Sequence, residues 1–162
     1  LLRLCFLKGF LHSKHDYVSY VNANQQAENT GLYIEEKYDP GFTDYESALK
    51  CILSTSGQQF SIGGVVFSGP HPRITLIDGF VCEFEAEGTI LATTNQDRPG
   101  MVGVLGTCLG KNSVNIDQFQ LSRNTPGGEA LSLIRVDDDL LDSVLEEIRN
   151  MEGITSVCKI IL

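Results

Sequence analysis

The sequence predicts an α+β chain in two parts, a mixed-sheet domain over residues 1–87 followed by a ferredoxin-like βαββαβ domain over 88–162. Three observations predict it. Short β-leaning runs dominate residues 33–84, apolar runs of helical and strand period alternate after residue 88, and the stretch 85-EAEG-88 between them is poor in large apolar side chains. A chain of 162 residues is long enough for two small cores of this kind.

The elements follow in order. In 1-LLRLCFLKGFLHS-13, Leu1, Leu4, Cys5 and Leu11 share a face at helical spacing, with Arg3 and Lys8 off it, which predicts an amphipathic helix made to pack on a sheet. Residues 17–22 (YVSYVN) read as a strand, and residues 23–29 as a short helix stopped by Gly31. Residues 33–38, 46–55, 59–67, 73–77 and 80–84 are strand-like, separated by 40-PGF-42, 56-SG-57, 68-SGPHP-72 and 78-DG-79. The last pair is a two-residue hairpin signal.

The second domain reads as strand 89–94, helix 100–111, strand 114–122, turn 124-NTPGG-128, strand 129–136, helix 140–151 and strand 154–161. Val102, Leu105 and Leu109 make one apolar helical stripe, and Leu141, Val144, Leu145 and Ile148 the other. The run 137-DDD-139 reads as a solvated turn with Asp139 as the helix N-cap.

The net charge of −9 excludes a basic nucleic-acid or anionic-membrane surface and leaves a small ligand or protein partner. Five cysteines lack a C-x-x-C pair, and their odd number closes no disulfide framework, so free thiols in the cytoplasm are expected. Arg3 and Lys8 break the opening apolar run, which is neither a signal peptide nor a membrane span. The missing initiator Met suggests a piece of a longer protein.

Most catalytic and cofactor motifs fail on spacing. Gly100, Gly103, Gly106 and Gly110 lack the close pair of a dinucleotide fingerprint, and 64-GVVFSG-69 is followed by Pro70 where a phosphate-binding loop needs Lys. His12 and His15 have no second pair at zinc-like spacing, so no metal is expected. No nucleophile stands beside a base in a recognisable context, so no catalytic residue is assigned.

The stretch 95-NQDRPGMVGVLGTCLG-110 offers binding chemistry instead. Pro99 suits a first helical turn, and Gly100 lets a ligand approach the backbone. The N–H groups of Gly100, Met101 and Val102 form an anion site fit for a carboxylate. Asp97 can hold an ammonium group, and Asn95 can donate and accept. Asp97 as a simple helix cap, and Asn115 as a strand-start residue, are the competing readings.

These residues carry a resemblance. D-R-P-G at 97–100, L-G at 105–106 and 109–110, V-N-I at 114–116 and 153-GITSV-157 resemble an ACT domain, a small amino-acid-sensing module. Before it, 21-VNA-23, 27-AENTGL-32, 69-GP-70, 73-RITLIDG-79 and 86-AEG-88 resemble the intervening, allosteric-substrate-binding domain. Together they are similar to the C-terminal regulatory half of the D-3-phosphoglycerate dehydrogenase family. That resemblance implies a parent enzyme that oxidises 3-phosphoglycerate with NAD in L-serine biosynthesis, and a fragment with neither activity nor cofactor of its own.

It further implies self-association through ACT domains, transmission to a catalytic half, and L-serine bound between two copies. Asn95 and Asp97 would contact it from one chain and Asn115 from the other. Asn95 departs from the His or aromatic residue common in relatives. A second anion site is implied at Arg73 and Arg135, where Glu85 takes what looks like the third basic position and should weaken it by repulsion and pairing. The alternatives are the regulatory region of an iron–sulfur L-serine dehydratase, for which no cysteine arrangement suits a cluster, and a ligand-free oligomerisation module.

Overall fold

The computed structural model describes residues 1–12, 17–39, 45, 47–67 and 71–162. His15, the 40-PGF-42 separator, Glu46, and residues 68–70 of the phosphate-loop comparison lie outside the described residues. The chain divides into two units, residues 1–42 and 43–162.

The first unit holds α1 (Leu2–His12) and α2 (Ala23–Asn29). Leu7 and Leu11 of α1 are buried with Val18, Ala23 and Ala27, while Leu1 and Cys5 of the expected stripe are exposed. The stripe is offset because the packed face of α1 carries Leu4, Phe6, Leu7, Phe10 and Leu11, which meet Leu32 and Ile34 as well as the alanines of α2. α2 closes with Gly31 at φ +72°, Gly31 N donating to Glu28 O at 3.0 Å and Leu32 N to Ala27 O at 2.9 Å, the double bond of a Schellman cap.

The strand expected at residues 17–22 is a turn. Ser19 N donates to Asn22 Oδ1 at 2.7 Å and Asn22 Nδ2 to Tyr17 O at 2.8 Å, and such local pairing competes with a ladder. Residues 33–38 likewise join no ladder among the described residues.

The second unit begins with β1 (Ala48–Ser54), β2 (Gln59–Phe67), β3 (His71–Ile77) and β4 (Phe80–Glu85). All three pairings are antiparallel, in the order β1-β2-β3-β4, so the mixed sheet expected here is an antiparallel meander. Residues 55–58 and 78–79 are connections too short for the crossover that a parallel pair needs. The Asp78-Gly79 hairpin is present, both residues at positive φ (46° and 86°) as a type I′ turn requires.

Next come β5 (Thr89–Gln96), α3 (Met101–Lys111), β6 (Ile116–Arg123), β7 (Glu129–Val136), α4 (Asp142–Arg149) and β8 (Ile154–Ile161), with the antiparallel order β6-β7-β5-β8. This is the ferredoxin-like arrangement expected. Leu91, Leu105, Leu109, Ile134, Val144 and Ile148 form the core between sheet and helices. Val102 is half-exposed, whereas Met101 and Cys108 are buried, so the α3 stripe runs i, i+4, i+7, i+8 from Met101. Leu141 of the α4 stripe is exposed and serves as the N-cap residue, not Asp139. Asp139 lies too far upstream of Asp142, the first helical residue, to cap it, and accepts instead from Lys159 Nζ at 3.0 Å.

The opposite face of this sheet is also covered. Ile90, Leu131 and Leu133 pack with Ile74, Phe80, Cys82 and Phe84 of the first sheet in one buried cluster. The boundary expected between residues 87 and 88 therefore falls inside the second unit, at the link between β4 and β5.

Candidate functional site

The β5–α3 turn sits at the end of the helix-covered sheet face. Gly100 takes φ +94°, a left-handed conformation that strains any other residue, and its carbonyl receives Val104 N at 2.9 Å to start α3. The first-turn N–H groups of α3 have no upstream helical carbonyl, and Pro99 has no N–H to compete with them. A cleft of about 610 Å³ opens there, between Gly100 and Met101 on one side and Pro126 and Gly127 of the β6–β7 loop on the other.

Asn95, Leu121 and Arg123 also line it. Asn95 pairs across the ladder with Ala130, and Ala130 with Arg123, so the three lie in one row across β5, β7 and β6. Asn95 is only 1% exposed. Its Nδ2 donates to Gln96 O at 2.8 Å, which fixes the amide orientation, and its buried Oδ1 has no partner. One row deeper, Thr93 pairs with Ser132, and both buried hydroxyls also lack a partner.

Asp97 is not the cap of α3, whose N-cap makes no side-chain hydrogen bond. Its Oδ2 accepts from Gly127 N at 2.9 Å and from Arg123 Nη1 at 2.7 Å, and its own N–H donates to Gly128 O at 2.7 Å. The Gly127 N–H, then the Arg123 guanidinium, hold its carboxyl below the ordinary value. Both bonds fall on one oxygen, so the anchored carboxylate keeps its Oδ1 for a further donor. Arg98 is held on the other side by the Glu152 side chain at 2.9 Å and by the Glu152 carbonyl.

Asn115 is not brought to this cleft within one chain. It precedes β6, whose far end carries Arg123, a separation on the order of 25 Å along the strand. Its Nδ2 donates to Asp137 Oδ2 at 2.5 Å, so Asp137 is not simply a solvated turn residue.

Arg73 and Arg135 do meet, but around carboxylates. Glu85 receives Arg73 through one oxygen and Arg135 Nη1 through the other at 2.6 Å. Arg135 further pairs with Glu87 at 2.9 Å and with Asp117. The pairing expected of Glu85 is present; Glu87 and Asp117 escaped the sequence reading, as did Arg123 and the buried Thr93 and Ser132. Only β5–β7 and β6–β7 register puts Thr93, Ser132 and Arg123 in place. Among the described residues no group of His, Cys, Asp or Glu is placed to hold a metal ion, and no helix is long and apolar enough to cross a membrane.

A ferredoxin-like module with a polar cleft at a glycine-started helix, packed against an antiparallel four-stranded sheet, defines the class as a two-sheet α+β unit. Its relatives make the class particular. Residues 1–78 match the family model of the D-3-phosphoglycerate dehydrogenase intervening domain. The chain is 32% identical over 149 residues to a D-3-phosphoglycerate dehydrogenase of Synechocystis sp., covering 91% of this chain and 27% of the relative. It is 30% identical over 152 residues to that of Bacillus subtilis, covering 93% and 29%. It is 31% identical over 161 residues to that of Methanocaldococcus jannaschii, covering 99% and 30%. The chain belongs to the D-3-phosphoglycerate dehydrogenase family and matches its C-terminal region. It spans less than a third of the length of these relatives.

Proposed function

We propose that this chain is the effector-sensing part of an NAD-dependent D-3-phosphoglycerate dehydrogenase, with residues 88–162 an ACT domain that binds L-serine between two copies and inhibits the catalytic half. The observation that carries the reading is the buried, unpartnered Asn95 Oδ1 beside the N-terminus of α3. A free amino acid has a carboxylate for the N–H groups at Gly100 and Met101, and an ammonium for Asp97. Asn115, exposed and distant in its own chain, serves the cleft of the second copy.

Serine bridging two chains favours one arrangement of the pair, and the sheet packed behind the ACT domain passes that bias on. The ion-paired Arg73 and Arg135 form the second anion site, closed in this state by Glu85. Nicotinamide and 3-phosphoglycerate binding belong to the catalytic half of the cytoplasmic parent enzyme.

Calorimetry with L-serine on the wild-type chain and Asp97→Ala tests the assignment. Wild type should bind with about one serine per chain or fewer, and the variant about tenfold or more weaker, from loss of a charged hydrogen bond. Equal binding by both sinks the site. A wild-type dimer that never takes up serine favours the ligand-free oligomerisation module.

A further inference from the structure

Asn115 and Asp137 are tied to each other twice. The Asp137 N–H donates to the Asn115 carbonyl at 3.3 Å, and Asn115 Nδ2 donates to Asp137 Oδ2 at 2.5 Å. Two bonds between the same two residues close a ring, so the Asn115 side chain is fixed against its own backbone. That backbone is set in turn by the end of α3, where Ser113 takes φ +58° and Val114 N donates to Leu109 O at 2.9 Å. Lys159 bonds Asp139 and the Leu140 carbonyl, and Arg135 bonds Glu85, Glu87 and Asp117, which leaves the Asp137 carboxylate to the amide.

The chemistry of the pair decides which way the amide faces. An ionised carboxylate only accepts, so the Asn115 NH2 must turn to it and Oδ1 must turn away. An exposed amide without such a partner rotates freely and presents a donor as readily as an acceptor. β6 is an edge strand of its sheet. Two copies paired antiparallel along β6 bring the start of one strand, where Asn115 stands, beside the end of the other, where Arg123 lines the cleft.

We propose that Asp137 is a positioning residue for the ligand site of a second copy: it turns the Asn115 amide so that Oδ1 is presented, already oriented, to the ammonium group of an amino acid in that copy's cleft. This rests on the proposed function, in which Asn115 serves the second copy, and adds what sets its orientation and which ligand group it reads. Asp137 itself touches no ligand. The ammonium meets two acceptors, the Asp97 carboxylate of one chain and the Asn115 amide oxygen of the other. Fixing the amide beforehand spares the cost of ordering it on binding.

The test is calorimetry with L-serine on wild type, Asn115→Ala, Asp137→Ala and the double variant Asn115→Ala/Asp137→Ala, with sedimentation of each. Asp137→Ala should self-associate as wild type does and bind serine about threefold to tenfold more weakly, the cost of ordering one side chain. In the Asn115→Ala background the same change should make no further difference, because Asp137 acts only through that amide. Asp137→Asn keeps an acceptor facing Asn115 and should recover most of the affinity. Asp137→Ser, too short to reach the amide, takes the place of alanine if the turn unfolds. Serine bound alike by wild type and Asp137→Ala overturns the inference and leaves the serine site standing. Additive losses in the double variant, or loss of self-association in Asp137→Ala, overturn it too, by showing that Asp137 serves the fold or the interface. Asn115→Ala binding as wild type does, or a wild type that takes up no serine, overturns the proposed function together with the inference.

Discussion

Asp97 and Arg123 are joined at 2.7 Å across the mouth of the cleft, tying the β5–α3 turn to the last residue of β6. Gly127 N reaches the same carboxylate oxygen, so the β6–β7 loop is bound to the turn as well. Asp97 is thus held in place by groups of its own chain, which under the proposed function lowers the ordering cost of binding.

The pH dependence follows from the lowered carboxyl pKa. A depressed folded value stabilises the native state above the ordinary carboxyl range and loses that contribution as pH falls through the folded value. The Asp97 carboxyl resonance should therefore titrate below 3.8. Arg123→Gln should move the midpoint up without restoring the ordinary value, since the Gly127 N–H remains. A midpoint unmoved by that substitution shows that the guanidinium does not hold the turn.

Glu85 bridges Arg73 and Arg135, one carboxylate oxygen to each, at the proposed second anion site. Wild type should gain no thermal stability from millimolar inorganic phosphate. Glu85→Ala should lower the Tm in buffer, because Arg73 loses its carboxylate, and should recover part of the loss on adding phosphate. Arg135 retains Glu87 and Asp117, so the loss should be about 1–2 kcal/mol rather than that of an isolated buried charge. Phosphate stabilisation of wild type equal to that of the variant shows that Glu85 does not close the site.

Much of this was legible along the chain, for reasons that differ by element. The predicted bounds of β7 and β8 coincide with the observed ones because Gly127-Gly128 and Gly153 punctuate runs of clear strand character. Asp78-Gly79 fixed its hairpin through backbone conformation alone. Residues 17–22 misled because Tyr and Val favour strands only where a neighbouring strand exists, and Asn22 offered the backbone a local alternative. The polar turn at 95–100 announced a cleft, since its special residues are contiguous. Arg123 and Ser132 did not, being ordinary strand residues until register sets them beside Asp97 and Thr93.

The thiols should divide by exposure. Burial pushes the Cys82 thiol up to about 11, and its Sγ donates to Ile74 O at 3.6 Å; burial, then the Glu147 carboxylate, raises Cys108. Alkylation at about pH 8 followed by mass spectrometry should modify exposed Cys5 and Cys158 first, leaving Cys82 and Cys108 until denaturant is added. Early labelling of Cys82 contradicts the shared core in which it sits.

That shared core is best tested at Phe84. It is fully buried between the first sheet and the back of the second, among Ile90, Leu131 and Leu133. Phe84→Ala should cost about 3–5 kcal/mol, the transfer loss plus an unfilled cavity, because β-strands on both sides hold the space open. Neighbouring Val81 lies on the opposite face and is 75% exposed, so Val81→Ala should change stability by about 0.5 kcal/mol or less. Far-ultraviolet circular dichroism and hydrogen exchange at β5 amides decide what the loss means. If the two sheets form one cooperative unit, Phe84→Ala lowers a single transition and weakens protection at Ile90 and Leu91 together with that at β3. Two separated transitions, with β5 protection intact, show instead that the sheets fold independently and that a signal from the cleft ends at the second sheet.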